Sequence, residues 1–238
     1  MRVSIIIPVY NEEKTVRQLL KKIAGLELPN AEKEIIVIDD GSSDATEYII
    51  SQFTVQSPQF TVLKHKKNQG KGAAVKTGIK HASGDYIIIQ DADLEYNPSD
   101  ISKLLQPIQK GEAKVVYGTR LKRLPNFSRD ERTPRFFLHY LGNRSLSLLT
   151  SLLYGQWITD METCYKIFPK EAINQIQLHA RGFEFEPEIT AKLLKQKYKI
   201  VEIGISTTPR GYEEGKKLQT VSDGLKSLWT LIKYRFVD

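Results

Sequence analysis

The feature that most limits what this chain can fold into is a train of short apolar runs that do not alternate with polar residues and are separated by helix-period segments. Val3–Val9, Glu34–Ile38, Phe60–Leu63, Tyr86–Gln90 and Lys114–Tyr117 read as strands, with Glu12–Ile23, Gly72–Ala82 and Pro98–Ile108 as helices among them. In the first helix Val16, Leu19, Leu20 and Ile23 share one face. A strand covered on both sides has no solvent face, so it needs no polar alternation; strands of that kind separated by helices give a parallel sheet layered with helices. The expected class is α/β, with a Rossmann-like, mostly parallel sheet.

In such a sheet ligands gather beyond the carboxyl ends of the strands, so polar motifs should follow the apolar runs. They do, at Tyr10–Glu12, Asp39–Asp44, Asp91–Glu95 and Gly118–Arg120. The second half is less regular. Arg120–Pro134 and Thr207–Lys217 read as polar loops, Gly182–Gln196 as a helix, Lys199–Ser206 as a strand and Leu218–Phe236 as an amphipathic helix. No repeat and no Gly-, Ser- or Pro-rich linker divides the 238 residues, so one domain is expected. Residues 1–119 hold its regular strand–helix alternation and 120–238 its less regular half.

Thirty-five Lys and Arg against 28 Asp and Glu give a formal charge of +7, which favours anionic partners. No zinc-finger spacing or RNA-binding aromatic signature appears, so nucleic acid is not an expected partner. The single cysteine, Cys164, excludes an internal disulfide and suits a reducing compartment. The apolar start at Met1–Pro8 is too short for a signal peptide and reads as the first strand. No stretch reaches the roughly 20 apolar residues needed to cross a bilayer.

The sharpest chemical signal is Gln90–Glu95. Two carboxylates one residue apart at the end of a strand, Asp91 and Asp93, with Glu95 two further on, can aim hard oxygen ligands at one Mg²⁺ or Mn²⁺. An ion held this way keeps positions open for substrate phosphates and neutralises a departing diphosphate. After the second strand, a carboxylate of Asp39–Asp44 can accept from a base or ribose, while Ser43 or Asp44 caps the next helix. Asn68–Ala74 is glycine-rich but lacks the Walker spacing, so a P-loop kinase is excluded. Its small residues would let a helix lie close to the sheet.

Together these motifs resemble the family 2 glycosyltransferases of the GT-A fold, most nearly the dolichyl-phosphate mannose and glucose synthases. The resemblance is carried by Pro8–Glu12, Asp39–Ser42, Asn68–Ala82, Asp91–Asp93 and Gly118–Arg120, and continues more loosely through Asp160–Phe168 and Arg210–Leu218. It implies that Pro8, Tyr10, Glu12, Val37 and Asp39 line the base and ribose, and that Asp91, Ala92 and Asp93 hold the diphosphate. Asp91, Asp93 and Glu95 would hold the metal; Glu95 stands where the synthases often have Gln. Arg120, Arg135 and His139 would meet an acceptor phosphate, and Arg210 with Lys216 or Lys217 would close over the diphosphate. Asp160 would act as a base, orient an arginine or contact the sugar, and residues 1–119 would form the nucleotide-sugar-binding half and 120–238 the acceptor-facing half.

The expected activity is inverting transfer of a hexose from GDP-mannose or UDP-glucose to a dolichyl or undecaprenyl phosphate. Such a phosphate is ionised at neutral pH and attacks without strong base help, so positioning and charge neutralisation carry the step. Arg135–Tyr154 and Leu218–Phe236 are rich in Leu, Phe and Trp with interspersed basic residues, a pattern that lies on anionic membrane surfaces. The expected location is therefore peripheral, on the cytoplasmic face of a membrane. Two alternatives remain at this point: a GT-A transferase with a soluble or polysaccharide acceptor, in which Asp160 or Glu162 is a base, and a nucleotide-binding module without catalysis.

Overall fold

Strand β1 (Arg2–Val9) lies between two parallel neighbours, β2 (Glu32–Asp39) and β4 (Tyr86–Ile89), and β2 pairs in parallel with β3 (Phe60–Lys64). This is a computed structural model that describes residues 1–55, 57, 59–120, 134–208 and 220–237, without the side chains of 134–136 and 220. On the far side β6 (Lys166–Pro169) runs antiparallel between β4 and β5 (Val115–Thr119), and β5 pairs in parallel with β7 (Ile200–Gly204). The strand order is β3-β2-β1-β4-β6-β5-β7. Consecutive residues Ile5, Ile6 and Ile7 are all fully buried, which is why this strand shows no polar alternation.

The helices are α1 (Val16–Ala24), α2 (Thr46–Val55), α3 (Lys71–His81), α4 (Asp100–Gln109), α5 (Pro134–Tyr154), α6 (Lys170–Asn174), α7 (Phe185–Lys195) and α8 (Thr220–Phe236). Where the sequence starts a helix at Glu12, the structure has a turn first. Asn11 is left-handed (φ 48°), Thr15 and Val16 donate to the Glu12 carbonyl, and the helix proper opens at Val16. The carboxylate of Asp44 accepts the N–H of Thr46 at the head of α2 and that of Glu13, and these bonds outweigh burial to hold its pKa below the ordinary value. Two elements were not anticipated, β6 and α6. The first is only four residues long, carries a buried lysine and ends in proline, so it offers neither a clean apolar run nor an alternation.

Helix α5 packs Leu146 and Leu153 against the core but turns a second apolar face outward. It buries Asn143, Ser147, Thr150 and Ser151 and exposes Leu138, Leu141, Leu148 and Leu152, the last at 74%. It packs against α8, where Tyr154 donates its hydroxyl to the Leu231 carbonyl, and α8 in turn exposes Val221, Leu225, Trp229 and Phe236. Among the described residues no helix is long and apolar enough to cross a membrane.

Candidate active site

The carboxyl ends of β1 and β4 are where the chain turns to opposite sides of the sheet, and a cavity of roughly 350 Å³ opens there. Nine residues singled out from the sequence line it: Pro8, Tyr10, Glu12, Asp91, Ala92, Asp93, Glu95, Arg120 and His139. Three do not. Val37 is mid-strand in β2, paired with Ile7 and Val62 and fully buried, so it is a core residue rather than a base contact. Asp39 ends β2 beneath the cavity; its Oδ1 accepts the Ser42 N–H at 3.0 Å and its buried Oδ2 has no hydrogen-bond partner. Asp160 lies behind the wall, inaccessible to solvent. Arg210, Lys216 and Lys217 lie outside the described residues, and of Arg135 only the backbone, in the first turn of α5, is described.

Asp91 leaves the end of β4 and meets a cation at once. Lys71 Nζ stands 2.8 Å from Asp91 Oδ1 and 3.0 Å from Oδ2. Burial works against the lysine charge, but Asp91 and, beyond it, Glu186 hold its pKa well above the ordinary value. Behind this pair Glu186 binds the fully buried Lys166 through Oε2, and Lys166 Nζ lies 5.0 Å from the centre of the Tyr117 ring. The donor set fits a hard divalent ion: Asp91 already takes a cation on both oxygens, and Asp93 and Glu95 line the same cavity. Among the described residues, however, no three His, Cys, Asp or Glu side chains form a ready-made ligand group. An ion here would rest on one or two carboxylates and take its remaining ligands from substrate and water, as Mg²⁺ commonly does.

Arg120, at the end of β5, is clamped from behind. Its Nε donates to Asp160 Oδ2 at 2.8 Å and its Nη2 to Oδ1 at 2.8 Å, while its backbone N–H also reaches Oδ2 at 2.9 Å. Asn143 of α5 donates to Oδ1 at 3.1 Å. Burial disfavours the Asp160 charge, but Arg120 overrides it and keeps the carboxyl below its ordinary range. A carboxylate with its lone pairs so occupied is no general base; Asp160 is a positioning residue for Arg120. The clamp also uses one fork of the guanidinium, so only the remaining N–H groups can meet a ligand.

Glu162, which the sequence offers as a base for a hydroxyl acceptor, also lines the cavity, and Cys164 beside it is a wall residue that sequence reasoning missed. Because β6 is antiparallel, its amino-terminal end lies at the carboxyl edge of β4 and β5, and the residues leading into it arrive at the cavity. Burial pushes the Glu162 carboxyl up to about 7, and its Oε1 is buried without a hydrogen-bond partner. The Cys164 thiol is raised well above its ordinary value by burial and then by Asp91, so it is not a thiolate nucleophile at neutral pH. Tyr96, also on the wall, accepts the Cys164 N–H through its hydroxyl and lies under Arg120, whose Cζ is 5.9 Å from the ring centre.

The glycine-rich segment before α3 is held by Asp40, whose carboxylate accepts the N–H groups of Gln69 (3.0 Å) and Gly70 (2.8 Å) and bonds the His65 ring at 2.6 Å. Its first glycines do not approach the sheet as expected. A Cβ on Gly70 would fall 2.4 Å from the Arg181 carbonyl oxygen, and one on Gly72 would fall 2.9 Å from the Ala180 and Gly182 oxygens. Of the glycines in this turn and α3, Gly78 is the one that meets the sheet, where a Cβ would come within 2.5 Å of Ile6.

Compared with known proteins, residues 4–177 match the family described as Glycosyl transferase family 2. A UDP-N-acetylglucosamine--dolichyl-phosphate N-acetylglucosaminyltransferase of Methanococcus voltae is 31% identical over 96% of this chain and 94% of its own length. A dolichyl-phosphate beta-glucosyltransferase of Dictyostelium discoideum is 28% identical over 98% of this chain and 73% of its own length. The solved glucosyl-3-phosphoglycerate synthase of Mycobacterium tuberculosis, in complex with Mn²⁺, UDP and phosphoglyceric acid, superimposes with a TM-score of 0.73. That match covers 99% of this chain and 79% of the synthase at 20% identity, and shows a shared GT-A fold.

Proposed function

Because the chain belongs to glycosyl transferase family 2, we propose that it transfers a hexose, with inversion, from a nucleotide sugar to a polyprenyl phosphate at a membrane surface. The observation that carries this reading is one cavity lined both by Asp91 and Asp93 and by the clamped Arg120. The carboxylates serve the departing diphosphate and the arginine serves an incoming phosphate. Asp39 Oδ2, buried and lacking a partner, supplies an acceptor for the N–H of a base or the O–H of a ribose. Asp91 and Asp93 would hold Mg²⁺ or Mn²⁺, and the ion would neutralise the charge that builds on the leaving diphosphate.

The step needs no strong base. A phosphate oxygen of the acceptor attacks the anomeric carbon as the bond from that carbon to the diphosphate oxygen breaks, and nucleoside diphosphate departs. Arg120 fixes the acceptor with the N–H groups that Asp160 leaves available. Positioning and charge complementarity supply the acceleration. GDP-mannose and UDP-glucose are the candidate donors, joined by UDP-N-acetylglucosamine, which the Methanococcus voltae relative's name specifies. Acceptors of the dolichyl-phosphate type are supported by the names of both relatives. The outward apolar faces of α5 and α8, with Arg144, Lys226, Lys233 and Arg235 among them, support a peripheral seat on an anionic bilayer.

Transfer from each radiolabelled nucleotide sugar to dolichyl and undecaprenyl phosphate, with Mn²⁺ or Mg²⁺, tests the proposal. One pairing should give labelled lipid, and Arg120→Ala should reduce its formation by at least about a hundredfold. Undiminished lipid labelling by Arg120→Ala would overturn the acceptor assignment. A second reading is favoured by one observation, the buried Glu162 at about 7: a hydroxyl acceptor would use it as a general base. That reading requires a soluble sugar or glycerol acceptor to be glycosylated faster than the lipid phosphate, and Glu162→Gln to abolish that transfer.

A further inference from the structure

Lys71 occupies an unusual station. It opens α3 directly after the left-handed Gly70, and its ammonium lies between two carboxylates. Asp91 Oδ2 accepts a hydrogen bond from it at 3.0 Å, and Oδ1 stands 2.8 Å away in the ion pair. Glu186 Oε1 is 3.5 Å away, beyond a hydrogen bond and inaccessible to solvent, and has no hydrogen-bond partner of its own; Glu186 Oε2 is taken by Lys166. One acceptor is therefore filled, and a second, unfilled one lies beside it within a small movement of a flexible side chain.

Asp91 is also a residue to which the proposed function assigns a divalent ion, and the inference rests on that assignment. A carboxylate that shares both oxygens with an ammonium cannot receive a doubly charged ion at the same place without forcing like charges together, which is costly at these distances in a partly buried site. We infer that Lys71 is a resident counter-ion that holds Asp91 in the donor-free enzyme and yields it when metal and nucleotide arrive together, passing its hydrogen bonds to Glu186 Oε1. The lysine would thus keep a lone divalent ion from settling in the cavity, keep Asp91 paired between turnovers, and make metal binding depend on the diphosphate. The phosphates' negative charge offsets the approach of the ion to the displaced ammonium.

The test is a titration of Mn²⁺ into the full-length protein, followed by the loss of the aqueous Mn²⁺ signal in electron paramagnetic resonance, with and without UDP or GDP. Wild type should bind Mn²⁺ weakly alone and much more tightly with the matching nucleotide. Lys71→Met should tighten nucleotide-free Mn²⁺ binding by on the order of tenfold or more and shrink the coupling between metal and nucleotide by a similar factor. Lys71→Arg should restore the wild-type weakness, which a merely structural role would not require. Lys71→Gln serves in place of the methionine variant if circular dichroism finds that variant unfolded. Asp91→Asn separates the two layers of the argument. If nucleotide-dependent Mn²⁺ binding is lost in Asp91→Asn but Lys71→Met leaves nucleotide-free binding unchanged, the counter-ion role is overturned while the metal assignment stands. If Asp91→Asn alters no Mn²⁺ binding in any state, both fall.

Discussion

Glu162 is the residue whose chemistry is set most plainly by its surroundings. Burial lifts its carboxyl from an ordinary 4.5 to about 7, outweighing the charge of Lys166 and a hydrogen bond with Ser227, while Oε1 has no partner. Below the unfolded value both states are protonated and the shift costs nothing. Between the two values the folded protein keeps a proton that the unfolded chain has released, so stability falls as pH rises, and above about 7 the full penalty stands. The penalty is at most about 3 kcal/mol. Urea unfolding at about pH 5 and about pH 8 should find Glu162→Gln gaining on wild type at the higher pH by about 1–3 kcal/mol, with little difference at the lower. Equal gains at both would mean that the carboxyl is not buried in this way. Asp160, two residues earlier, shows the opposite outcome of burial: with Arg120 and Asn143 as partners it remains ionised and serves as a fixed support.

At the scale of elements, the joint between the glycine-rich turn of α3 and the segment 180–182 is the part most sensitive to a single methyl group. Gly70 has φ +96° and its place for a Cβ lies 2.4 Å from the Arg181 carbonyl oxygen, which is backbone and cannot swing aside. Gly70→Ala should therefore cost more than about 2 kcal/mol in urea unfolding. Gly111 is the control: its φ is +72° but nothing lies within 4 Å of a Cβ, so Gly111→Ala carries only the left-handed strain of about 1–2 kcal/mol. Strand β6 teaches the complementary lesson. Four residues reversed within a parallel sheet bring Glu162 and Cys164 to the ligand edge, and no local pattern in Lys166–Pro169 announces the reversal.

At the scale of the whole molecule, α5 and α8 together present an exposed apolar surface. A water-facing helix normally buries its leucines and exposes its serines; α5 turns Leu138, Leu141, Leu148 and Leu152 outward while burying Ser147 and Ser151, and α8 adds Trp229 at 66% exposure and Leu225 at 62%. Since these side chains pack on little within the protein, replacing Leu152 and Trp229 together by serine should leave the unfolding midpoint nearly unchanged. The same replacement should reduce flotation with anionic liposomes at low salt by on the order of tenfold. Flotation unaffected by that double change, or absent in wild type, would remove the membrane from the proposed function.

The sequence by itself determined the alternation of strands and helices, the parallel character of most of the sheet, and the edge at which polar motifs collect. Each of these is a local matter: a strand buried on both faces must be apolar throughout, and residues that follow a parallel strand must lie at its carboxyl end. It also brought Tyr10, Asp91, Asp93 and Arg120 to notice, because each lies within four residues of the carboxyl end of a strand. Only the tertiary structure decided that Val37 is core, that Asp160 serves Arg120, and that Lys71 rests on Asp91 beside an unfilled acceptor on Glu186. Those contacts join residues 40, 20 and 115 positions apart, and which of several buried charges pair is fixed by the packing that excludes water from them.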